Sequence, residues 1–134
     1  MLSEFSEKEL DYLRSQRLAR IATVSANGEP DVAAVAFTFD GQRFLVGGMD
    51  VKNTLKYHNA KSTGRAALVV DDFTTTEPAQ PRGIKIHGKA KIVDATGYAG
   101  AGEYIEIIAD RYWSWGIDAP TFDQGKPVIK KIRK

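Results

Sequence analysis

Val32-Ala33-Ala34-Val35-Ala36-Phe37-Thr38-Phe39 is apolar at every position but one. Such a run is expected of a strand covered on both faces. Turn signals bracket it: Ala26-Asn27-Gly28-Glu29-Pro30 with its Asn-Gly step before it, and Asp40-Gly41 after it. Beyond those turns, residues 18–24 and 43–48 have the composition of two further strands. Three strands joined by tight turns make an antiparallel meander, and the rest of the chain is arranged around it.

Ahead of the meander, Ser3 and Glu4 lead to Ser6-Glu7-Lys8-Glu9, a capping box with Phe5 and Leu10 at staple positions. It opens a short helix ending near Gln16. After the meander, a second helix is predicted over residues 50–60, with Asp50 as its N-cap. Residues 65–70 form another apolar strand, and 71–81 a polar loop with two prolines. In residues 83–93, Ile84, Ile86, Gly88, Ala90 and Ile92 alternate with Lys85, His87, Lys89 and Lys91, as in a half-exposed strand. Residues 103–113 are predicted helical, with Tyr104, Ile107 and Ile108 on an apolar face, and 126–132 form a closing strand. The expected fold is a single domain over residues 1–134, mainly β with peripheral helices: a six-stranded antiparallel barrel. One face of residues 32–39 would line that barrel. The other would meet a partner subunit or a flat ligand, so a homodimer is expected.

Composition narrows the chemistry. The 134 residues are 43% hydrophobic and 27% charged, ordinary for a globular domain. The absence of cysteine removes disulfides, thiolate metal sites and a Cys nucleophile, and two histidines are too few for zinc without carboxylates. No metal is expected. No apolar run is long enough for a membrane span, and no signal-peptide pattern opens the chain, so a cytoplasmic location and no membrane partner are expected. A net charge of +2 is too weak a field to argue for nucleic acid, and aromatics do not interleave with the lysines as stacking platforms. The charge is unevenly distributed. Basic residues gather at 52–65, at Arg82, Lys85, Lys89 and Lys91, and over 126–134, which suits a modest anionic ligand.

The strongest candidate for such a ligand is Asp50-Val51-Lys52-Asn53-Thr54-Leu55-Lys56-Tyr57. A helix start offers free backbone N–H groups and a partial positive charge. Ammonium and hydroxyl donors beside it make a phosphate cradle, although the same residues also suit an ordinary solvated helix start.

Taken in order, Phe5-Ser6-Glu7 with Leu13, Arg20-Ile21-Ala22-Thr23-Val24, Asn27-Gly28-Glu29-Pro30, and Lys56 with Arg65-Ala66-Ala67-Leu68-Val69-Val70-Asp71-Asp72 resemble one family. The stretch Pro81-Arg82-Gly83-Ile84-Lys85-Ile86-His87-Gly88-Lys89-Ala90 and the late Trp113-Ser114-Trp115-Gly116-Ile117 extend the likeness over almost the whole chain. The family is the pyridoxamine 5′-phosphate oxidase-like split barrels, and the branch is their deazaflavin-dependent (coenzyme F420) one. The resemblance implies a homodimer with a cofactor groove at its interface. It implies an oxidoreductase passing a hydride from reduced cofactor to a small conjugated acceptor. Thr54 and Lys56 would take the cofactor phosphate, with Lys52 and Asn53 beside them, and the ring would lie along the backbone of Val35, Ala36 and Phe37. The flavin-using oxidases carry an Arg-led, Lys-ended strand where this chain has residues 32–37. The missing charges count against flavin mononucleotide (FMN), which stands as the alternative cofactor, as does a non-catalytic carrier.

With hydride chemistry supplied by a cofactor, protein groups have to bind, orient and exclude water. Arg82, Lys85 and Lys89 suit either an anionic tail or a solvated strand face. His87, Tyr57 and Tyr98 are candidate proton donors, and Trp113 and Trp115 either wall a pocket or fill a core. No catalytic residue is assigned.

Overall fold

The computed structural model describes residues 5–133. Ser3 and Glu4, ahead of the first helix, and Lys134, last of the basic tail, lie outside them. Helix α1 (Glu7–Ser15) starts at the expected capping box: Ser6 Oγ accepts from the Glu9 N–H at 3.1 Å, and Glu9 Oε1 accepts from the Ser6 N–H at 2.9 Å. Strands β1 (Leu18–Val24), β2 (Pro30–Phe39) and β3 (Phe44–Val46) form the meander. A single helical turn (Val51–Asn53) and α2 (Leu55–Thr63) follow, then β4 (Arg65–Thr76), β5 (Ala79–Gly97) and β6 (Gly100–Trp115). A two-residue pair, β7 (Phe122–Asp123) and β8 (Lys126–Pro127), precedes β9 (Lys130–Arg133).

The sheet runs β3-β2-β1-β4-β5-β6-β9, and β3 also pairs with β6. That pairing closes β1–β6 into the expected six-stranded antiparallel barrel, leaving β9 as a seventh strand on its outside. Closure satisfies the strand edges that an open sheet would expose. Alternation places Ala19, Ile21 and Thr23 of β1 inside; Ala19 and Ile21 join a core with Phe37, Phe44, Leu68, Ile86, Ile105 and Ile107, and Thr23 accepts from Asn59 of α2 at 3.1 Å. Tyr12 and Leu13 of α1 enter the same core.

Three expectations are corrected. Residues 103–113 are strand, not helix: β6 pairs with β5 from Gly97↔Gly100 to Gly83↔Trp115. The spacing of Tyr104, Ile107 and Ile108 fits a helix face, but a short apolar run cannot by itself separate the two periods. Ile, Tyr and Trp favour the pleated surface they occupy here. The loop expected over 71–81 is instead a hairpin, with polar cross-strand pairs such as Asp72↔Arg82 carrying β4 and β5 outward. The closing strand is split into β8 and β9.

One face of the β2 strand lines the barrel, as expected. Val35 and Phe37 are buried in the barrel, but Val32 is 67% exposed, and Ala34 lies open on the same outer face. Leu18, at 65%, and Val24 share that face on β1. Within one chain the strand is buried on one side only.

Candidate cofactor site

The sharp path from β3 to α2 depends on local backbone geometry. Gly47 packs flat on the Tyr104 ring, where a Cβ would come within 2.6 Å of a ring carbon, and Gly97 meets the same ring from the β5–β6 hairpin. Gly48 and Asp50 then take positive φ values of 124° and 61°. Asp50 does not cap the helix as expected. Its carboxylate accepts from Asn53 Nδ2 at 2.5 Å, and α2 is capped by Thr54. Thr54 Oγ1 donates to the Val51 carbonyl at 2.6 Å and accepts from the Tyr57 N–H at 3.4 Å. The predicted phosphate donors are therefore unequal. Asn53 and Thr54 hold the local fold, while Lys52 is exposed and Lys56 half-buried, with no acidic partner for either among the described residues.

Lys52 borders a cavity of about 220 Å³ with Gly48, Asp50, Glu103 and Tyr104. A second cavity, of about 380 Å³, holds Ala36 and Phe37 together with Thr38, Arg14, Gln16, Arg17 and Tyr98. The Phe37 side chain points into the core against Phe44, and its N–H donates to the Arg17 carbonyl at 3.3 Å. Val35 faces the core and borders neither cavity. Small Ala36 is thus the one predicted ring-contact residue whose own side chain leaves room on the cavity side.

Tyr98 stands where the two cavities approach each other. Its hydroxyl accepts from the Gly47 N–H at 3.1 Å and lies 3.5 Å from the position of a Cβ on Gly48. The turn that carries it is fixed by Tyr104, whose hydroxyl accepts from the Ala99 N–H at 3.0 Å and donates to the Gly100 carbonyl at 2.6 Å. Burial raises the Tyr98 phenol above its ordinary value, so it stays protonated at neutral pH with its proton unclaimed by any described residue. Tyr57 is less available: it is buried, and its hydroxyl lies 3.3 Å from both Glu103 oxygens.

Arg14 and Arg17 are the residues that sequence reasoning missed. They sit at the end of α1 and just before β1, carry no recognisable motif, and have no acidic partner among the described residues. Their spacing says nothing until the barrel places them beside β2. By contrast, Arg82 is committed to Asp72, with Nε at 2.8 Å and a second guanidinium nitrogen at 3.1 Å. His87 and Trp113 lie on the outer sheet face, their rings 4.8 Å apart. Trp115 packs on Gly83.

A pyridoxamine 5′-phosphate oxidase profile matches residues 5–131, nearly the full length. The chain belongs to that family. The chain is 37% identical over 120 residues to the 5a,11a-dehydrotetracycline/5a,11a-dehydrooxytetracycline reductase of Streptomyces rimosus, covering 85% of this chain and 84% of that enzyme. Among solved structures, the conserved hypothetical protein Rv2991 of Mycobacterium tuberculosis superposes with a TM-score of 0.67 at 22% identity, covering 90% and 92% of the two chains. An F420 reductase superposes with a TM-score of 0.59 at 19% identity, covering 76% of this chain and 93% of the other. These two share the family's split-barrel fold. Family fold and sequence relationship together support an oxidoreductase. No helix among the described residues is long and apolar enough to cross a membrane.

Proposed function

We propose that the protein is a reductase that passes a hydride from a bound flavin-type ring to a small, conjugated, electron-poor acceptor. The observation carrying this reading is the 37% identity, along 85% of the chain, to a reductase of dehydrotetracyclines. An acceptor of that class, a conjugated multi-ring ketone, is the substrate to try first.

Flavin mononucleotide is the first cofactor reading. The sequence argued against it because β2 lacks charge across residues 32–37. Arg14, in α1, and Arg17, just before β1, border the cavity beside Ala36 and can supply the positive charge that β2 lacks. Coenzyme F420 is the second reading, favoured by the ordered motifs that resemble the deazaflavin branch. The cofactor supplies the hydride. The polypeptide would hold it with Arg17, Lys52 and Lys56, seat the ring against Ala36, and offer the Tyr98 hydroxyl as proton donor to the reduced acceptor.

A second copy of the chain covering Val32, Ala34 and Leu18 would complete the groove, and Lys52, Asn53, Thr54 and Lys56 remain the proposed phosphate side. A cytoplasmic location and a small-molecule substrate complete the reading.

Parallel fluorescence titrations with FMN and F420 test it, followed by turnover of a dehydrotetracycline under the cofactor that binds. Tight FMN binding with turnover supports the first reading, and F420 preference the second. Binding without turnover over a panel of enones would point to a carrier. Arg17→Ala with Lys52→Ala should weaken binding by at least about tenfold, since a charge-assisted contact contributes roughly 1.5–3 kcal/mol.

A further inference from the structure

The register of β5, β6 and β9 assembles a two-by-three grid on the outer sheet face. Lys85 pairs with Trp113, which pairs with Lys131; one step along, His87 pairs with Arg111, which pairs with Arg133. Four permanent cations therefore share this face with one indole, three of them in contact with its ring. Lys85 Nζ lies 4.2 Å from the Trp113 ring centroid, the Arg111 guanidinium 5.2 Å and Lys131 Nζ 5.7 Å. Among the described residues none of the four is paired with a carboxylate. The nearby acids are already engaged: Asp110 with Arg65 at 2.6 Å, and Asp71 with Arg20 at 2.7 Å.

Like charges directly across a sheet destabilise it, so this arrangement is costly in the free protein. The Arg111 guanidinium donates to His87 Nδ1 at 3.2 Å, which requires that nitrogen to be unprotonated. Burial, then Arg111, Lys85 and Arg65, lower the imidazole below its ordinary value, with Asp110 opposing them. The surroundings thus exclude a fifth positive charge.

We infer that this grid binds a small planar polyanion, an aromatic ring bearing two or more acid groups. The indole is the apolar centre of the patch, and the cations gathered over it by cation–π contact meet the acids in charge-assisted hydrogen bonds. Two residues along a strand by three strands across is about 7 by 10 Å, the size of a ring system rather than a polymer track. The acidic ends of the two neighbouring ion pairs border the patch on β4 and β6, interrupting any longer basic path. None of the six residues borders the Tyr98 cavity, so this is a separate site.

The test uses Trp115→Phe protein, in which Trp113 is the sole tryptophan. Naphthalene-2,6-dicarboxylate should quench its fluorescence saturably, with a midpoint below about 1 mM that rises with salt. Lys85→Gln with Lys131→Gln should weaken binding at least about tenfold. Circular dichroism and Tm of that variant verify that it remains folded. The proposal is overturned if the neutral dimethyl ester binds equally well, or if the double variant keeps full affinity. Quenching that stays linear to roughly 10 mM would overturn it too. Heparin or single-stranded DNA binding whose affinity grows with chain length would reassign the patch to a polymer and also defeat it. Cofactor titrations in the same variant should be unchanged, separating this site from the proposed reductase cavity.

Discussion

Asp72 illustrates how a single side chain holds distant segments. It accepts from Tyr12 of α1 at 3.0 Å, from Arg82 of β5 at 2.8 and 3.1 Å, and from Gln16 at 3.5 Å. The Arg82 hydrogen bonds foremost, with those from Tyr12 and Gln16, outweigh burial and hold the carboxyl below its ordinary value. A depressed carboxylate stabilises the fold above its unfolded-state value, and that stabilisation fades as pH falls through the native value. Asp72→Asn should therefore cost about 1–3 kcal/mol near pH 7. Urea unfolding at successively lower pH should show variant and parent converging below the ordinary carboxylate range. A gap that stays constant down to about pH 3 would rule out this linkage.

At the scale of elements, two contacts decide where the ends of the barrel lie. The β5–β6 turn sits over β3 because Gly47 and Gly97 let Tyr104 approach closely. Gly47→Ala should destabilise the protein by about 1–3 kcal/mol through overpacking, and should loosen Tyr98 by displacing the amide its hydroxyl accepts from. Equal Tm and unaltered cofactor affinity in that variant would refute the argument.

On the opposite flank, buried Glu9 of α1 accepts from Tyr112 of β6 at 2.6 Å and from Lys130 of β9 at 3.1 Å, tying three elements together. Burial pulls the Lys130 ammonium down, but hydrogen bonds with Asp118, Tyr112 and Glu9 more than compensate and raise it. Lys130→Met would leave a buried carboxylate without its cation, at a cost of about 3 kcal/mol. Chemical denaturation of that variant against Lys131→Met, whose side chain is exposed, provides the check.

For the whole molecule, the outer face of β1 and β2 is the open apolar surface. The register brings Ala22 opposite both Val32 and Ala67, and Ala34 opposite Arg20, so small apolar side chains run across neighbouring strands. A second copy seated there would remove this face from water at roughly 25 cal/mol per Å² of apolar area. Val32→Glu with Ala34→Glu should give a monomer by sedimentation and weaken cofactor binding. Both side chains point away from the core, so folding should survive. A parent protein that is already monomeric would remove the dimer proposal.

The sequence by itself determined the capping box of α1, the meander around residues 32–39 and the alternation of β5. Each depends on neighbours within a few positions, where sterics and hydrogen bonding act locally. It misassigned residues 103–113 because Tyr104, Ile107 and Ile108 satisfy a helical spacing, and only pairing with β5 and β3 selected the strand. Lys52 and Ala36 could be nominated from the chain. That Thr54 is occupied as a cap, that Arg14 and Arg17 border the same cavity, and that three cations gather over Trp113 were decided by the tertiary structure. Register across strands that are remote in sequence sets those distances, and no local pattern encodes them.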